Sequence, residues 1–318
     1  MNNQQKKCSV AIVGAGYMAR EHIRAFQDIP GVSVAGIHSR TRTRAEGLAA
    51  EFHIPAVYDS VAELHKETNA DLVVVTVPEL EVNAVGRACF EFPWTALLEK
   101  PAGYNLADAE DILSAARAKG RKVYVALNRR CYSSTRAMLE DLKQLSGPRY
   151  IHVQDQEDQV RALQAGQPKT VVDNWMYANS IHMIDYFLLM GRGKVESIEP
   201  VVPWNPRGAR YVVAKITFDS GDLGLYEGIW NGPGPWAVSV NTPEKRWEMR
   251  PLEQASYQLA GQRKLELITS HPWDQQFKPG LRLQAEKAVT AAQGQETDLT
   301  SLEDAFESMR LVQAIFNV

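Results

Sequence analysis

The segment Val13-Gly14-Ala15-Gly16-Tyr17-Met18-Ala19 restricts the folds open to this chain more than any other. An apolar run, Ser9–Val13, leads into it and a helical pattern, Arg20–Gln27, leaves it, so the glycines stand at a strand-to-helix turn. The spacing fits G-x-G-x-x-G/A. Gly14 permits the tight turn, Gly16 lets a pyrophosphate approach the backbone, and Ala19 lets the helix pack closely on the strand. The helix N-terminus then offers N–H groups and a favourable dipole to phosphate. Gly14, Ala15, Gly16, Tyr17 and Met18 are therefore expected to bind a dinucleotide. Glycine turns also occur in unrelated loops, and the strand before and helix after separate this one from an incidental turn.

The same alternation continues along the chain. Strand-length runs at Val32–Ile37, Leu72–Thr76, Thr95–Leu98 and Lys122–Ala126 are interleaved with helical stretches at Thr43–Glu51, Val61–Lys66, Val82–Phe90 and Leu106–Ala118. Continuously apolar strands joined by helical crossovers imply a parallel sheet covered on both faces, a doubly wound α/β domain. Asn105 and Asp108 give the last of these helices a capping start, and Lys119-Gly120 its stop. Beyond residue 127 strand-like runs follow one another with little helix between, at Tyr150–Gln154, Val195–Val202, Tyr211–Phe218, Leu223–Trp230, Trp236–Val240 and Arg246–Met249. Turn signals such as Gly232-Pro233-Gly234-Pro235 punctuate them, which predicts a mainly antiparallel sheet. Helical stretches at Leu281–Ala292 and Leu302–Ile315 close the chain. The expected division is a Rossmann domain over 1–127 and an α+β domain over 128–318, and a length of 318 residues suits two domains.

The second strand bears on cofactor choice. An NAD site usually places Asp or Glu about 20 residues beyond the glycines to hold the ribose hydroxyls. This chain has His38-Ser39-Arg40, with Arg42 and Arg44 beyond, and a hydroxyl with guanidinium groups suits a 2′-phosphate better than a bare diol. Ser39 and Arg40 are thus expected to favour NADP over NAD, unless the arginines only solvate the next helix. Thr76 and Pro78, at the end of the Leu72–Thr76 run and just past it, join the cofactor-binding candidates.

Leu97-Leu98-Glu99-Lys100-Pro101, Asn128-Arg129-Arg130, Ile181-His182-Met183-Ile184-Asp185 and Leu302-Glu303-Asp304-Ala305, together with the glycine turn, give the chain a resemblance to the glucose-fructose oxidoreductase, inositol dehydrogenase and rhizopine catabolism (Gfo/Idh/MocA) family. The resemblance implies an NAD(P)-dependent oxidoreductase acting on a hydroxyl-bearing carbon of a sugar, sugar derivative or polyol, with an open-faced antiparallel sheet and built as a homodimer or homotetramer. It places Lys100 at the family's Glu-Lys-Pro lysine, His182 at its histidine and Asp185 at the aspartate that trails it. It also adds Glu99 and Lys100 to the cofactor contacts. Where the family has an aspartate four residues before the histidine, this chain has Ala178, and its glycine is Ser180. Tyr177 and Asn179 are polar neighbours that could substitute. With Arg129, Trp175 and Asp185 they form the substrate-binding candidates, while Arg130 and Trp236 could serve an anion or stack on a sugar ring.

Hydride transfer from a secondary alcohol needs a group to accept the hydroxyl proton and one to stabilise charge on oxygen. Lys100, at the carboxyl end of a parallel strand, suits the second task, and His182, titrating near neutrality, the first. On a regular helix Ala178, His182 and Asp185 would share a face. The alternatives are a cofactor-binding regulator or scaffold with lost catalysis, which Ala178 motivates, and a reductase of a non-sugar substrate. Lysine and arginine number 35 against 38 acidic residues, with no long run of like charge, which argues against nucleic acid or a polybasic membrane patch. Cys8, Cys89 and Cys131 form no CxxC pair and fit a reduced cytoplasm. The seven histidines offer no zinc spacing, so no metal is expected.

Overall fold

The computed structural model describes residues 7–208 and 210–318, so the first six residues of the expected first domain lie outside it. No helix of the described residues is long and apolar enough to cross a membrane. The chain divides into two compact units, one of residues 1–128 and 273–306, the other of residues 129–272 and 307–318.

The first unit is built on a six-stranded sheet of β1 (Cys8–Val13), β2 (Val32–His38), β3 (Val57–Tyr58), β4 (Leu72–Val75), β5 (Thr95–Leu98) and β6 (Val123–Val125). Its order is β3-β2-β1-β4-β5-β6, with every neighbouring pair parallel. This is the doubly wound arrangement expected, with its reversal of strand order between β1 and β4. Alternate residues of the strands feed two separate cores. Val10, Ile12, Leu72, Val74 and Leu97 pack beneath Ile23 and Phe26 of the helix Tyr17–Gln27. Ala11, Val13, Val73, Val75 and Leu98 face Phe90, Ile112 and Leu113 of the helices Val82–Phe90 and Leu106–Ala118. Leu72 to Val75 are wholly buried, which explains their continuous apolar run, and each such side chain stabilises the fold by roughly 1.5–3 kcal/mol. Asn105 caps its helix by accepting the Asp108 N–H at 2.9 Å, and Gly120 ends it at a φ of +61°.

The division of the chain differs from the contiguous one expected at residue 127. The helix Leu281–Ala292 returns to the first unit, where Leu281, Ala285, Ala288 and Val289 lie against the core formed with Ile23 and Phe26. The apolar spacing of this helix announces a buried face but carries no information on which sheet it covers.

The second unit holds an eight-stranded sheet of β7 (Tyr150–Glu157), β8 (Val195–Val202), β9 (Tyr211–Phe218), β10 (Leu223–Trp230), β11 (Ala237–Asn241), β12 (Lys245–Met249), β13 (Ala255–Leu259) and β14 (Glu266–Ile268). The order is β14-β13-β12-β11-β7-β10-β9-β8. All pairs are antiparallel except β7 with β10, which run parallel. The expectation of little helix fails here. Ser133–Leu142 and Ile181–Met190 are full helices, and Ile181–Met190 is buried along most of its length, so it shows no amphipathic period.

Candidate active site

In the first unit the two glycines of the turn differ in what they need. Gly14 sits at a φ of +111°, and a Cβ there would stand 2.5 Å from the carbonyl oxygen of Thr76. Thr76 is pinned beneath it, donating its backbone N–H (2.7 Å) and its hydroxyl (3.1 Å) to the Val13 carbonyl. Gly14 is therefore required by the protein itself. Gly16 adopts an extended conformation (φ −97°, ψ −169°) that any residue accepts, and a Cβ on it would meet nothing within 4 Å. Nothing in the chain calls for glycine there, yet the bare backbone opens the N-terminus of Tyr17–Gln27 to an outside group, as a phosphate needs. Ala15 and Met18 are half-buried beside it, while Tyr17 is 63% exposed under the Lys278 ammonium, 5.2 Å from the ring centre. A groove of about 460 Å³ runs past Ala15, Gly16, Tyr17, Arg20, Arg44 and Leu48.

Ser39 and Arg40 follow β2. The Arg40 guanidinium, 81% exposed, pairs with Glu81 at 2.9 Å, and Ser39 Oγ accepts the Thr41 N–H. Arg42 is engaged by Glu46 and Asp59, whereas Arg44 is exposed. Pro78 is exposed before the short turn Glu79–Glu81. Past β5, Glu99 is buried and Lys100 half-buried, joined to Pro101 by a cis peptide bond.

In the second unit His182 is the second residue of Ile181–Met190 and is buried. The preceding turn, Met176–Ser180, is π-helical, so Ala178 stands outside the regular α-helical phase in which the shared face was expected. Single π-turns inside helices frequently mark functional positions. Asp185 is buried, its oxygens held by the Arg130 guanidinium at 2.6 and 2.7 Å and by the Ser308 hydroxyl at 2.6 Å. Tyr177 is buried, which pushes its phenol up to about 12 and keeps it protonated at neutral pH.

Asn179 and Trp175 both point their donors at one carboxyl, that of Glu157 on β7. Trp175 Nε1 reaches Oε2 at 2.6 Å, and Asn179 Nδ2 lies 2.8 and 3.1 Å from the two oxygens. Asp155 precedes Glu157 by two residues on the same face of β7, and neither is more than 1% exposed. Burial raises both acids above the usual carboxylate range, and for Glu157 the charge of Asp155 adds to the rise. The hydroxyl of Tyr226 donates to Asp155 at 2.8 Å, and the charge of Arg129, whose guanidinium stacks 4.5 Å over Trp236, favours an ionised Asp155. Of the two acids, Glu157 is the one whose protonated form these surroundings favour more strongly. The Trp236 ring N–H is taken up by the Gln156 carbonyl at 2.8 Å.

Residues 8–127 match the family described as an oxidoreductase family with an NAD-binding Rossmann fold. The match covers this domain alone, and there the chain is similar to the Gfo/Idh/MocA oxidoreductases. Among curated relatives, the trans-1,2-dihydrobenzene-1,2-diol dehydrogenase of Mus musculus is 28% identical over 135 residues, 42% of this chain and 40% of that protein. An inositol 2-dehydrogenase of Saccharopolyspora erythraea is 30% identical over 119 residues, 37% of this chain and 35% of its own. These matches span well under half of each relative's length. The UDP-N-acetylglucosamine 3-dehydrogenase GnnA of Acidithiobacillus ferrooxidans superposes with a TM-score of 0.79, covering 98% of this chain and 97% of that one at 16% identity. That likeness extends the shared fold to the second unit.

Of the residues singled out in the sequence, the glycine turn, Ser39, Arg40, Thr76, Pro78, Glu99 and Lys100 fall in the first unit, and Arg129, Trp175, Tyr177, Asn179, His182 and Asp185 in the second. Asp155 and Glu157 were missed in the sequence because the expected strand stops at Gln154. Continuing the alternation of Ile151 and Val153 by two steps places both acids on the buried face. His22, whose ring meets the Glu99 carboxylate, was also missed, and its place on the turn's own helix could have flagged it.

Proposed function

We propose that this protein is an NAD(P)-dependent dehydrogenase or reductase acting on a hydroxyl-bearing carbon of a sugar, sugar derivative or polyol. The observation that carries this reading is Gly16, a glycine that neither backbone nor packing requires, placed where a dinucleotide phosphate would press against a helix N-terminus. The family and the names of the relatives support the substrate class. Gly14, Ala15, Gly16, Tyr17 and Met18 would hold the pyrophosphate side of the cofactor, with Thr76, Pro78, Glu99 and Lys100 beyond. When bound, the nicotinamide supplies the hydride acceptor or donor. Lys100 Nζ orients the reacting hydroxyl and stabilises negative charge on its oxygen. His182 takes or returns the hydroxyl proton at an imidazole nitrogen. Arg129, Trp175, Tyr177, Asn179 and Asp185 shape the substrate side, Asp185 through its hold on Arg130 and Asn179 through Glu157.

NADP is the proposed cofactor. The exposed Arg40–Glu81 pair contributes on the order of 0.2–1 kcal/mol, so the guanidinium can turn to a 2′-phosphate at little cost. The same reading includes a homodimer or homotetramer and a cytoplasmic setting, the latter supported by the buried cysteines Cys8, Cys89 and Cys131.

Fluorescence titration with NADPH and NADH, followed by absorbance screening of reduced nicotinamide across sugars, sugar phosphates, nucleotide sugars and polyols, tests the proposal. Expected are tighter binding of NADPH, loss of that preference in Arg40→Ala, and turnover with at least one substrate. Absence of binding overturns the whole reading. Binding without turnover on any of them turns it to a cofactor-binding regulator, the second reading that the alanine at position 178 favours.

A further inference from the structure

His22 lies in the second turn of Tyr17–Gln27, the helix whose N-terminus carries Gly16, and is 1% exposed. Its Nε2 is 2.7 Å from Glu99 Oε1. The other carboxylate oxygen, Glu99 Oε2, accepts the backbone N–H of Lys100 at 3.2 Å. Glu99 is held in turn by its own N–H, which donates to the Val75 carbonyl at 2.8 Å. Both oxygens of this buried acid therefore serve a bridge from the first helix to the main chain of Lys100.

The arrangement is poor as a purely stabilising device. His22 Nδ1 is buried with no hydrogen-bond partner among the described residues, and such an orphan costs roughly 1–3 kcal/mol. Buried polar pairs of this kind are often replaced by well-packed apolar residues without loss of stability. What an apolar pair cannot do is fix the Lys100 main chain relative to the helix that meets the dinucleotide. A bond to a buried carboxylate also has one geometry, whereas apolar contact tolerates sliding.

We propose that His22 and Glu99 are positioning residues that tie the placement of Lys100 to the dinucleotide-binding helix. Glu99 fixes the main chain of Lys100, and His22 fixes Glu99 to the helix. The ammonium is then held in register with a cofactor seated at Gly16. The catalytic weight of the link rests on the role proposed above for Lys100, but the mechanical coupling does not.

Three variants test it. His22→Leu removes the bond, His22→Gln keeps a donor at the position of Nε2 without the imidazole, and Glu99→Gln keeps an acceptor for His22 while presenting an N–H to the Lys100 N–H. The NADPH Kd, kcat and KM are measured for each. Lys100 labelling by trace acetic anhydride is read by mass spectrometry with and without NADP. His22→Leu is expected to lower kcat about 10- to 100-fold with the NADPH Kd changed less than about threefold, and to alter the Lys100 labelling rate severalfold. His22→Gln is expected to restore both. Wild-type kcat and labelling in a folded His22→Leu, or a His22→Gln as impaired as it, overturns the proposal. If His22→Leu does not fold, Glu99→Gln decides, with unchanged kcat and Lys100 labelling overturning the link. A wild-type protein that shows no turnover at all refutes the dehydrogenase reading alone, because the labelling experiment still reads the coupling.

Discussion

Alanine placed at each of the two turn glycines separates what the fold needs from what a ligand needs. In Gly14→Ala the new methyl would stand 2.5 Å from Thr76 O and 2.6 Å from Thr76 Oγ1, at a φ of +111°. The backbone conformation costs about 1–3 kcal/mol for a side-chain-bearing residue, and the overlap about 1–3 more because Thr76 is bonded to Val13 and cannot retreat. A loss of about 2–6 kcal/mol should lower Tm by at least about 5 °C in a unit of this size. Gly16→Ala meets open space at an ordinary φ of −97°. There the reduced freedom of the unfolded chain, about 0.4–1 kcal/mol, roughly offsets the poorer helix cap that alanine makes. Tm should stay within a few degrees, while a methyl against the phosphate weakens NADPH binding by about 10- to 100-fold. Differential scanning calorimetry and isothermal titration with NADPH read the two effects independently. A Gly16→Ala protein that unfolds as early as Gly14→Ala, or binds NADPH with unchanged Kd, refutes the reasoning.

Lys100→Met keeps most of the stem and removes the charge, so turnover should fall about 10²-fold or more while the circular dichroism spectrum holds, and near-normal turnover would demote the lysine. His182→Asn should cost about 10²- to 10⁴-fold in kcat and flatten its pH dependence near neutrality, whereas an unaltered profile would remove His182 from the proton path. Glu157→Gln imitates the protonated acid. Because the folded state raises this carboxyl, the native protein binds a proton that the unfolded chain gives up, and its stability declines as pH rises above the ordinary carboxylate range. The glutamine variant lacks that decline, so Tm scans at pH 5 and pH 8 should show it gaining several degrees on the wild type at the higher pH; a constant difference would mean that Glu157 holds no extra proton in the folded state.

Much of the first unit was legible because each local signal agreed with the next. The glycine turn, the Asn105 cap and the unbroken Leu72–Val75 run all require the same parallel, doubly covered sheet. Where the sequence was silent, the deciding contact was distant. Leu281 and Ala285 read as a helical face, but only the fold shows that face meeting Ile23 and Phe26. Two-residue β3 is too short to leave a period, and Ile181–Met190 too uniformly apolar. At the candidate site, Lys100 and His182 were singled out through the family resemblance, by Glu99-Lys100-Pro101 and Ile181-His182-Met183-Ile184-Asp185. Asp155 and Glu157 were not, because two acids at the end of a strand look like a solvated edge until burial is known.

The return of Leu281–Ala292 to the first unit bears on how this chain is made. During synthesis the strands and helices of residues 8–127 emerge early, yet the apolar surface around Ile23 and Phe26 has no cover until the helix Leu281–Ala292 leaves the ribosome. The second unit waits as well, since Phe316 seats between the rings of Tyr226 and Trp230. A nascent chain that stops at Pro272 lacks members of both cores. Such a chain exposes sticky surface for the interval that translation of the remainder takes, at about 5–20 residues per second, which makes it a natural client for a chaperone. A stop codon ahead of Leu281 would strand both units at once, whereas one between Ala292 and Phe316 would spare this cover of the first.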